Sequence, residues 1–487
     1  MLATLGSALT YGTAPLRGTF SDEGFAEAFL RMERALLQVL EELGLVPAGE
    51  AAKLDRFRIG DFDLAAASEV AQSTGNPVAG LVEQIYQCSP YAHFGITAND
   101  AWDVAHVLQL KAAITLILAD VRIAVEQLTT MVEAHAKTPM VARTQGQAGA
   151  PTTLGFKLAT WLDELLRIAA RLAKAMDEAA LVSVAGVVGT ASSFAVIGAS
   201  PEAVEAGTAR ELGLRVSAMP WFTSRDRFVA LASALAQLCT FAGKVGHEVY
   251  NLQRSGIEEL SEGGAYGSSA TPQKSNPWIS QRMHGLAVVG RHLSSMVADG
   301  AALAEGEREI GTMYAEWYGL AHLCLVSGRV AADLAQVAGR LEVHEDVMLA
   351  NLQRDPSLLS ESMSMVLSRA VGKKRGYGLM KAAMARYRAG QAYPAAVSEA
   401  FRQAGLDAPN DPAQWRSALG RASSKSHEVV AAARRWLKAN PESIEGAGRN
   451  AKGSGLPRGA RSAGKPSPGS RGRSAGRPAR RAKRRSG

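Results

Sequence analysis

A chain of 487 residues exceeds one ordinary domain, and its 47% hydrophobic content is typical of a globular protein that buries a large core. Three widely spaced cysteines, Cys88, Cys239 and Cys324, exclude a disulfide framework and a cysteine-based metal cluster. The net charge of +8 comes from the C-terminus, because residues 446–487 hold thirteen basic and no acidic residues. The residues before them hold 41 basic against 46 acidic residues and are therefore slightly acidic. No secretory leader and no apolar stretch long enough to cross a bilayer stand out. The sequence therefore predicts a cytoplasmic protein without a membrane partner.

Helical patterns fill most of the chain between residues 20 and 440, where alanine and leucine abound and alternating strand patterns are scarce. The clearest helix is predicted over 225–253, with further long helices near 104–136, 154–184 and 277–303. In the helix predicted over 225–253, apolar residues recur at steps of three and four for about four heptads, which is the pattern of a helix packed along partner helices. The positions are Phe228, Leu231, Leu235, Leu238, Ala242, Val245, Val249 and Leu252. An all-α fold built on a bundle of long helices follows.

Four regions are predicted along the chain. They are an N-terminal helical domain (1–103), a central long-helix bundle (104–345), a C-terminal helical domain (346–445) and a basic tail (446–487). The tail is rich in Gly, Ser, Pro, Arg and Lys, so it cannot bury enough apolar surface to fold and is predicted to be disordered. It would attract polyanions through charge alone, because it has no aromatic residues on which bases could stack.

Two polar segments flank predicted long helices. The segment 91–100 contains Thr97 and Asn99, which could cap the helix that follows or leave free N–H groups for a carboxylate. The segment 143–147 begins with Arg143, whose guanidinium suits a carboxylate, although a lone arginine near a helix start is usually a surface residue.

A third segment, residues 267–277, reads Gly-Ser-Ser-Ala-Thr-Pro-Gln-Lys-Ser-Asn-Pro. Its glycine and prolines forbid a continuous helix, so it forms a loop. Ser268 could act as a base or nucleophile, and Lys274 could bind a carboxylate or an oxyanion. On composition alone the loop could equally be a linker between two helices.

Together the three segments resemble the signature regions of the fumarase/aspartase superfamily. Residues 267–276 match its pattern G-S-S-x-x-P-x-K-x-N at every fixed position, while Thr271 and Ser275 stand where many members carry Met and Arg. The first segment resembles T-S-x-D, with Ala98 in place of the serine. The resemblance covers roughly residues 5–440. It implies a homotetramer whose sites draw each region from a different subunit.

Two branches of the superfamily compete. Adenylosuccinate lyases carry a histidine upstream of the first region and another in the second, but residues 75–84 contain none and Gln145 occupies the second position. The bacterial 3-carboxy-cis,cis-muconate cycloisomerases resemble the chain better, with similar motifs at 11–22, 91–100 and 307–317. The resemblance therefore implies a cycloisomerase of aromatic (protocatechuate) degradation. A C–N or C–X lyase releasing fumarate or a similar unsaturated acid is the alternative.

The resemblance also implies roles for individual residues around a small polycarboxylate. Ser268 would be the base or the proton donor, with Lys274 and Asn276 holding the carboxylate beside the reacting carbon. Further substrate contacts would come from Arg17, His93, Thr97, Arg143, Thr144, Gln145, Gln147 and Ser269. Neither a metal nor an organic cofactor is expected, and a non-catalytic scaffold with a nucleic-acid-binding tail is a third, disfavoured interpretation.

Overall fold

The computed structural model describes residue 10 and residues 12–264, 266–268, 270–411 and 414–441. The described part holds seventeen α-helices and three small two-stranded sheets, which confirms the predicted all-α class. The helices are α1 (Ala14–Thr19), α2 (Asp22–Glu42), α3 (Glu50–Arg56), α4 (Leu64–Thr74), α5 (Ala79–Tyr86), α6 (Ala98–Ala134), α7 (Leu154–Ala179), α8 (Ser192–Val196), α9 (Pro201–Leu212), α10 (Asp226–Gln253), α11 (Trp278–Leu303), α12 (Met313–Ala338), α13 (Glu345–Arg354), α14 (Ser360–Val371), α15 (Lys373–Arg388), α16 (Tyr393–Gln403) and α17 (Ala422–Ala439). The strands are β1 (Pro139–Thr144), β2 (Gln147–Thr153), β3 (Leu260–Ser261), β4 (Tyr266–Gly267), β5 (Ser275–Asn276) and β6 (Glu342–Val343).

The five longest helices of the central region, α6, α7, α10, α11 and α12, pack together as a bundle. All eight predicted seam positions of α10 are buried, from Phe228 at 2% exposure to Leu252 at 2%. Glycine lets α10 and α11 approach closely, because a Cβ atom at Gly246 would lie 2.3 Å from the carbonyl oxygen of Ser280. The heptad pattern therefore identified the face on which the bundle is built.

Three ion pairs show how the helices run. Arg225, just before α10, bonds to Asp103 in the first turns of α6 and to Glu316 in the first turn of α12, so these three helices begin at one end of the bundle, called here the Thr97 end. Arg143, in the hairpin that follows α6, pairs with Glu259, which follows α10. These two helices therefore finish at the opposite end, called here the Ser268 end.

Three helices, α6, α10 and α12, are long and apolar enough to cross a membrane by length and composition. The expectation that no segment has this property is therefore wrong. In each of these helices, 61% to 67% of the most apolar stretch is buried inside the chain. Packing in the bundle therefore accounts for much of the apolar character. The cytoplasmic location stays a prediction.

The C-terminal helices α14, α15 and α16 form a second hydrophobic cluster, which includes Leu367, Met380, Tyr393 and Phe401. The main cluster extends from the N-terminal helices through the bundle to α17. The predicted domain boundaries stay predictions, and the predicted basic tail (446–487) lies outside the described residues.

Candidate active site

The loop that carries Ser268 is closed by a small hairpin. Strand β4 pairs antiparallel with β5, with Gly267 opposite Ser275. Within the loop the Ser268 N–H donates to the Lys274 carbonyl at 3.3 Å, and the Lys274 N–H donates to the Thr271 carbonyl at 3.0 Å. The segment is thus a compact turn held by its own backbone, unlike an open linker.

Three donors surround the hydroxyl oxygen of Ser268. The backbone N–H groups of Ala270 and Thr271 lie 3.3 and 3.1 Å from Oγ, and the Thr271 hydroxyl lies 2.6 Å from it. Donors that converge on one oxygen stabilise negative charge there. The geometry therefore favours ionisation of Ser268.

Glu262 anchors the loop to the bundle. Its buried carboxylate accepts the N–H groups of Ile279 and Ser280 at 3.0 and 2.6 Å, which satisfies free donors at the start of α11. Gln253 accepts from the Glu262 N–H at 2.9 Å and donates to the Ser275 carbonyl at 3.2 Å. Sequence reasoning missed this carboxylate, which lies only five residues before the signature loop.

Of the other residues predicted in the loop, Lys274 is exposed and Asn276 is half-buried in β5. Ser269 lies outside the described residues. The structure therefore places an ammonium group and an amide on the same turn as Ser268.

The second predicted segment forms a β-hairpin, β1–β2, which the scarcity of strand patterns did not predict. Gln145 and Gly146 have φ of 52° and 78°, and such a pair of positive angles is characteristic of a tight two-residue turn. Thr144, Gln145 and Gln147 are exposed at its tip. The glutamine–glycine pair between two strand-forming stretches was the sequence signal.

Arg143 is engaged within its own chain. Its guanidinium makes two hydrogen bonds, of 2.8 and 2.7 Å, to the buried carboxylate of Glu259, and Asn351 donates to the same carboxylate at 3.0 Å. A fork–fork pair of this kind uses the bidentate geometry that a substrate carboxylate would need. In this conformation Arg143 ties the hairpin to the end of α10, and its predicted substrate contact stays a prediction.

At the Thr97 end, Thr97 begins the 37-residue helix α6 through a capping box with Asp100. The Asp100 carboxylate also accepts from the Ser183 hydroxyl at 2.6 Å and from the Gly186 N–H at 3.0 Å. The capping alternative is thus correct for Thr97. Its hydroxyl still has a second role, because it accepts a hydrogen bond from Arg308.

Arg308 contacts Thr97 at this end of the bundle. Its Nη2 donates to Thr97 Oγ1 at 3.0 Å and to the Gly186 carbonyl at 2.7 Å, and its guanidinium lies 4.4 Å from the centroid of the Phe222 ring. The sequence motif at 307–317 contained Arg308, but the site prediction did not include it. The contact with Thr97 joins it to the predicted site.

His93 is held by Glu33, a partner sixty residues earlier in the chain. The Glu33 carboxylate, which is fully buried, accepts the His93 N–H at 2.8 Å and lies 2.7 Å from Nδ1. Burial alone would lower the pKa of His93, but the charge of Glu33 and its hydrogen bond outweigh burial and raise it. Glu33 therefore holds the His93 ring in a fixed orientation.

Arg17, in α1, donates through Nη1 to the Gly12 carbonyl at 3.0 Å. The adjacent Leu16 is fully buried, and a Cβ atom at Gly328 of α12 would lie 2.0 Å from it. The close contact fixes the first helix against the bundle. The predicted carboxylate clamp at Arg17 stays a prediction.

Below Thr97 lies a buried ionic cluster in which Arg225 pairs with both Asp103 and Glu316. Burial raises the pKa of Asp103 to about 6, and Glu316 adds to this effect against the opposing charge of Arg225. The neighbouring His106 has its pKa lowered to about 3 by burial and by Arg225, so its imidazole is neutral. Two carboxylates for one guanidinium leave a negative charge in excess at neutral pH.

Apart from Arg17, the predicted residues that the structure describes fall into two groups at opposite ends of the bundle. Helix α6 separates Thr97 from the hairpin of Arg143 and is about 55 Å long at the rise of an α-helix. Ser268 lies at the hairpin end, because it follows α10 and is linked there through Glu259. One chain alone cannot place Thr97 and Ser268 around one small substrate.

Comparisons with known proteins show which family the chain resembles in sequence and in fold. The sequence profile of a protein family described as lyase matches residues 31–289. An N-acetyl-S-(2-succino)cysteine lyase of Enterococcus italicus is 31% identical over 440 residues, which cover 87% of this chain and 95% of that protein. A 3-carboxy-cis,cis-muconate cycloisomerase of Pseudomonas putida is 35% identical over 388 residues, which cover 76% of this chain and 90% of that protein. The crystal structure of a 3-carboxy-cis,cis-muconate lactonizing enzyme from Pseudomonas putida matches with a TM-score of 0.80 at 29% identity, over 89% of this chain and 99% of that one.

Proposed function

Because the chain belongs to the lyase family of the fumarase/aspartase superfamily, we propose that it is a cofactor-independent cycloisomerase that interconverts 3-carboxy-cis,cis-muconate and a carboxymuconolactone. The observation that carries this proposal is the donor-surrounded hydroxyl of Ser268 beside Lys274 and Asn276. The choice of substrate is supported by the similarity to the Pseudomonas putida cycloisomerase in sequence and to the lactonizing enzyme in structure.

In the lactonising direction, a carboxylate oxygen of the muconate adds to a carbon of the diene. Negative charge then develops on the carbon beside another carboxylate, and Ser268 delivers its proton to that carbon. The serine becomes an alkoxide, whose charge is stabilised by the N–H groups of Ala270 and Thr271. In the reverse direction the same alkoxide removes the proton. Lys274 and Asn276 would hold the carboxylate that receives the charge.

We propose that each site is assembled from several copies of the chain in a homotetramer. The separation of Thr97 from Ser268 along α6 and α10 supports this arrangement, since a small substrate cannot bridge it. The helices of the bundle also leave large apolar side chains exposed, among them Trp278 at 55%, Tyr314 at 54% and Tyr318 at 54%. Exposed apolar surface on long bundle helices favours burial between subunits.

A second candidate is a lyase that cleaves the C–S bond of a succinylated thiol and releases fumarate. It is favoured by the Enterococcus italicus relative, of which this chain covers 95%. Here Ser268 would remove the proton beside a succinyl carboxylate, and the thiolate would leave from the adjacent carbon. The two candidates share the base and the carboxylate pocket and differ in the group that joins or leaves.

An ultraviolet assay separates the candidates when 3-carboxy-cis,cis-muconate is tested beside N-acetyl-S-(2-succino)cysteine, adenylosuccinate and argininosuccinate. We expect turnover of the muconate and loss of that turnover in Ser268→Ala. Ser424→Ala, on the exposed face of α17, is the matched control and should behave as the unaltered chain. Silence on the muconate with turnover of a succinyl compound would overturn the first candidate, and full activity of Ser268→Ala would remove the base.

A further inference from the structure

The side chain of Thr271 makes a contact that the other donors of the loop do not explain. The N–H groups of Ala270 and Thr271 would approach Ser268 Oγ whatever side chains those residues carried, because they belong to the backbone. The third donor, 2.6 Å from Oγ, is the Thr271 hydroxyl and depends on the identity of the residue. A side chain without a hydroxyl at this position would leave Ser268 with two donors.

Three donors match an alkoxide better than they match a hydroxyl. A serine hydroxyl has two lone pairs and one O–H group, whereas its alkoxide has three lone pairs and no proton. The Oγ–Oγ distance of 2.6 Å is also within the range of hydrogen bonds to charged oxygen, about 2.5–2.7 Å. The surroundings of Ser268 are therefore complementary to its charged form.

The backbone of the turn directs the threonine hydroxyl at Ser268. Lys274 donates its N–H to the Thr271 carbonyl at 3.0 Å, and Ser268 donates its own to the Lys274 carbonyl at 3.3 Å. These two bonds close the turn around both hydroxyls. Thr271 is therefore held by the same hydrogen bonds that hold Ser268.

We propose that Thr271 is a positioning residue that stabilises the charged oxygen of Ser268, an inference that rests on the role proposed for Ser268. Partial negative charge is present on Oγ in the transition state for proton transfer in either direction. A donor preorganised toward that oxygen lowers the barrier both for removing a proton from the substrate and for delivering one. Thr271 itself does not contact the substrate in this role.

A substrate-free measurement tests the contact directly. In a Ser268→Cys chain, the pH dependence of alkylation by iodoacetamide reports the pKa of the introduced thiol. Peptide mass spectrometry separates this thiol from Cys88, Cys239 and Cys324. Adding Thr271→Val, which keeps the branched shape but removes the hydroxyl, should raise that pKa by about one unit, the scale of one hydrogen bond to a charged group. Adding Thr271→Ser instead should leave it near the starting value.

The catalytic arm uses the substrate that the assay above identifies. Where Ser268 removes a proton from the substrate, Thr271→Val should shift the acidic limb of the kcat/KM profile upward by about one unit; in the lactonising direction, where Ser268 starts protonated, it should shift the basic limb upward by the same amount. In both directions kcat at neutral pH should fall about tenfold, with KM little changed. Thr271→Ser should restore the profile. Because Thr271 is exposed, both variants are expected to keep the melting temperature of the unaltered chain, which is measured alongside.

The inference and the proposed function fail in different ways. An unchanged thiol pKa and an unchanged pH profile in Thr271→Val, with Ser268→Ala inactive, would overturn the role of Thr271 and leave the base in place. A fully active Ser268→Ala would overturn the base itself. An equal loss of activity at every pH in both Thr271 variants would show that the residue only maintains the loop, which also overturns the inference.

Discussion

The separation of Thr97 from Ser268 predicts that two inactive variants restore activity when they assemble together. Ser268→Ala removes the proposed base at one end of the bundle. Thr97→Val removes the hydroxyl that Arg308 contacts at the other end. Valine suits this position because the backbone of Thr97 is extended, with φ of −120° and ψ of 166°. Each variant alone should be inactive with an intact bundle.

The size of the recovery follows from the geometry. A site that takes Ser268 from one chain and Thr97 from another is intact only if both contributing chains carry the right residue. With equal amounts and random assembly, each condition holds in about half of the cases, so about a quarter of the sites should be intact. If one chain supplied both residues, mixing would produce no intact site at all.

The assay compares each variant alone with a mixture made by co-expressing two differently tagged chains and purifying the assemblies on both tags. We expect mixed assemblies to recover about a quarter of the activity of the unaltered protein, corrected for the fraction of mixed species. His93→Asn, run in parallel, provides a second variant at the Thr97 end, since asparagine tolerates the φ of 55° found there. Mixed assemblies without activity in both pairings would refute the composite site.

Two further predictions concern the bundle and use melting temperatures. Asp103, whose pKa is raised to about 6 in the folded chain, destabilises the fold progressively as the pH rises from about 4 through 6. The free energy of unfolding of Asp103→Asn, compared with that of the unaltered protein, should therefore rise by about 2 kcal/mol between about pH 4.5 and about pH 7.5. This corresponds to a relative rise of about 2 °C in melting temperature. Parallel curves would contradict the excess charge beside Arg225. Gly246→Ala places a Cβ atom 2.3 Å from the Ser280 carbonyl and should lower the melting temperature by about 1–3 °C or more. Gly285→Ala, with no atom within 4 Å of its Cβ, is the matched control and should be neutral or slightly stabilising; equal effects of the two would contradict the close packing of α10 on α11.

The long helices were predictable because their signals are local. The seam from Phe228 to Leu252 depends only on the spacing of apolar side chains, and its buried positions agree with the pattern. The helix predicted over 225–253 is observed at Asp226–Gln253. The hairpin β1–β2 was missed because its signal is two short strands, and their pairing is decided by contacts between them.

Local sequence patterns could not predict which residues the predicted site residues pair with. Arg143 pairs with Glu259 and His93 with Glu33, over separations of 116 and 60 residues. No spacing rule connects such positions, because the packing of intervening helices brings them together. Arg308 likewise acquired its place in the site only through its contact with Thr97.

By itself the sequence determined the helical class, the buried face of α10 and the chemical groups of the loop, since periodicity and residue identity specify these features. Only the tertiary structure decided how those groups are arranged. In the folded chain the Thr271 hydroxyl points toward Ser268, and the guanidinium of Arg143 is paired with Glu259. Thr97 and Ser268 lie at opposite ends of the bundle. The physical reason is that hydrogen-bond geometry and distance depend on how helices of fixed rise pack together, which no stretch of sequence encodes alone.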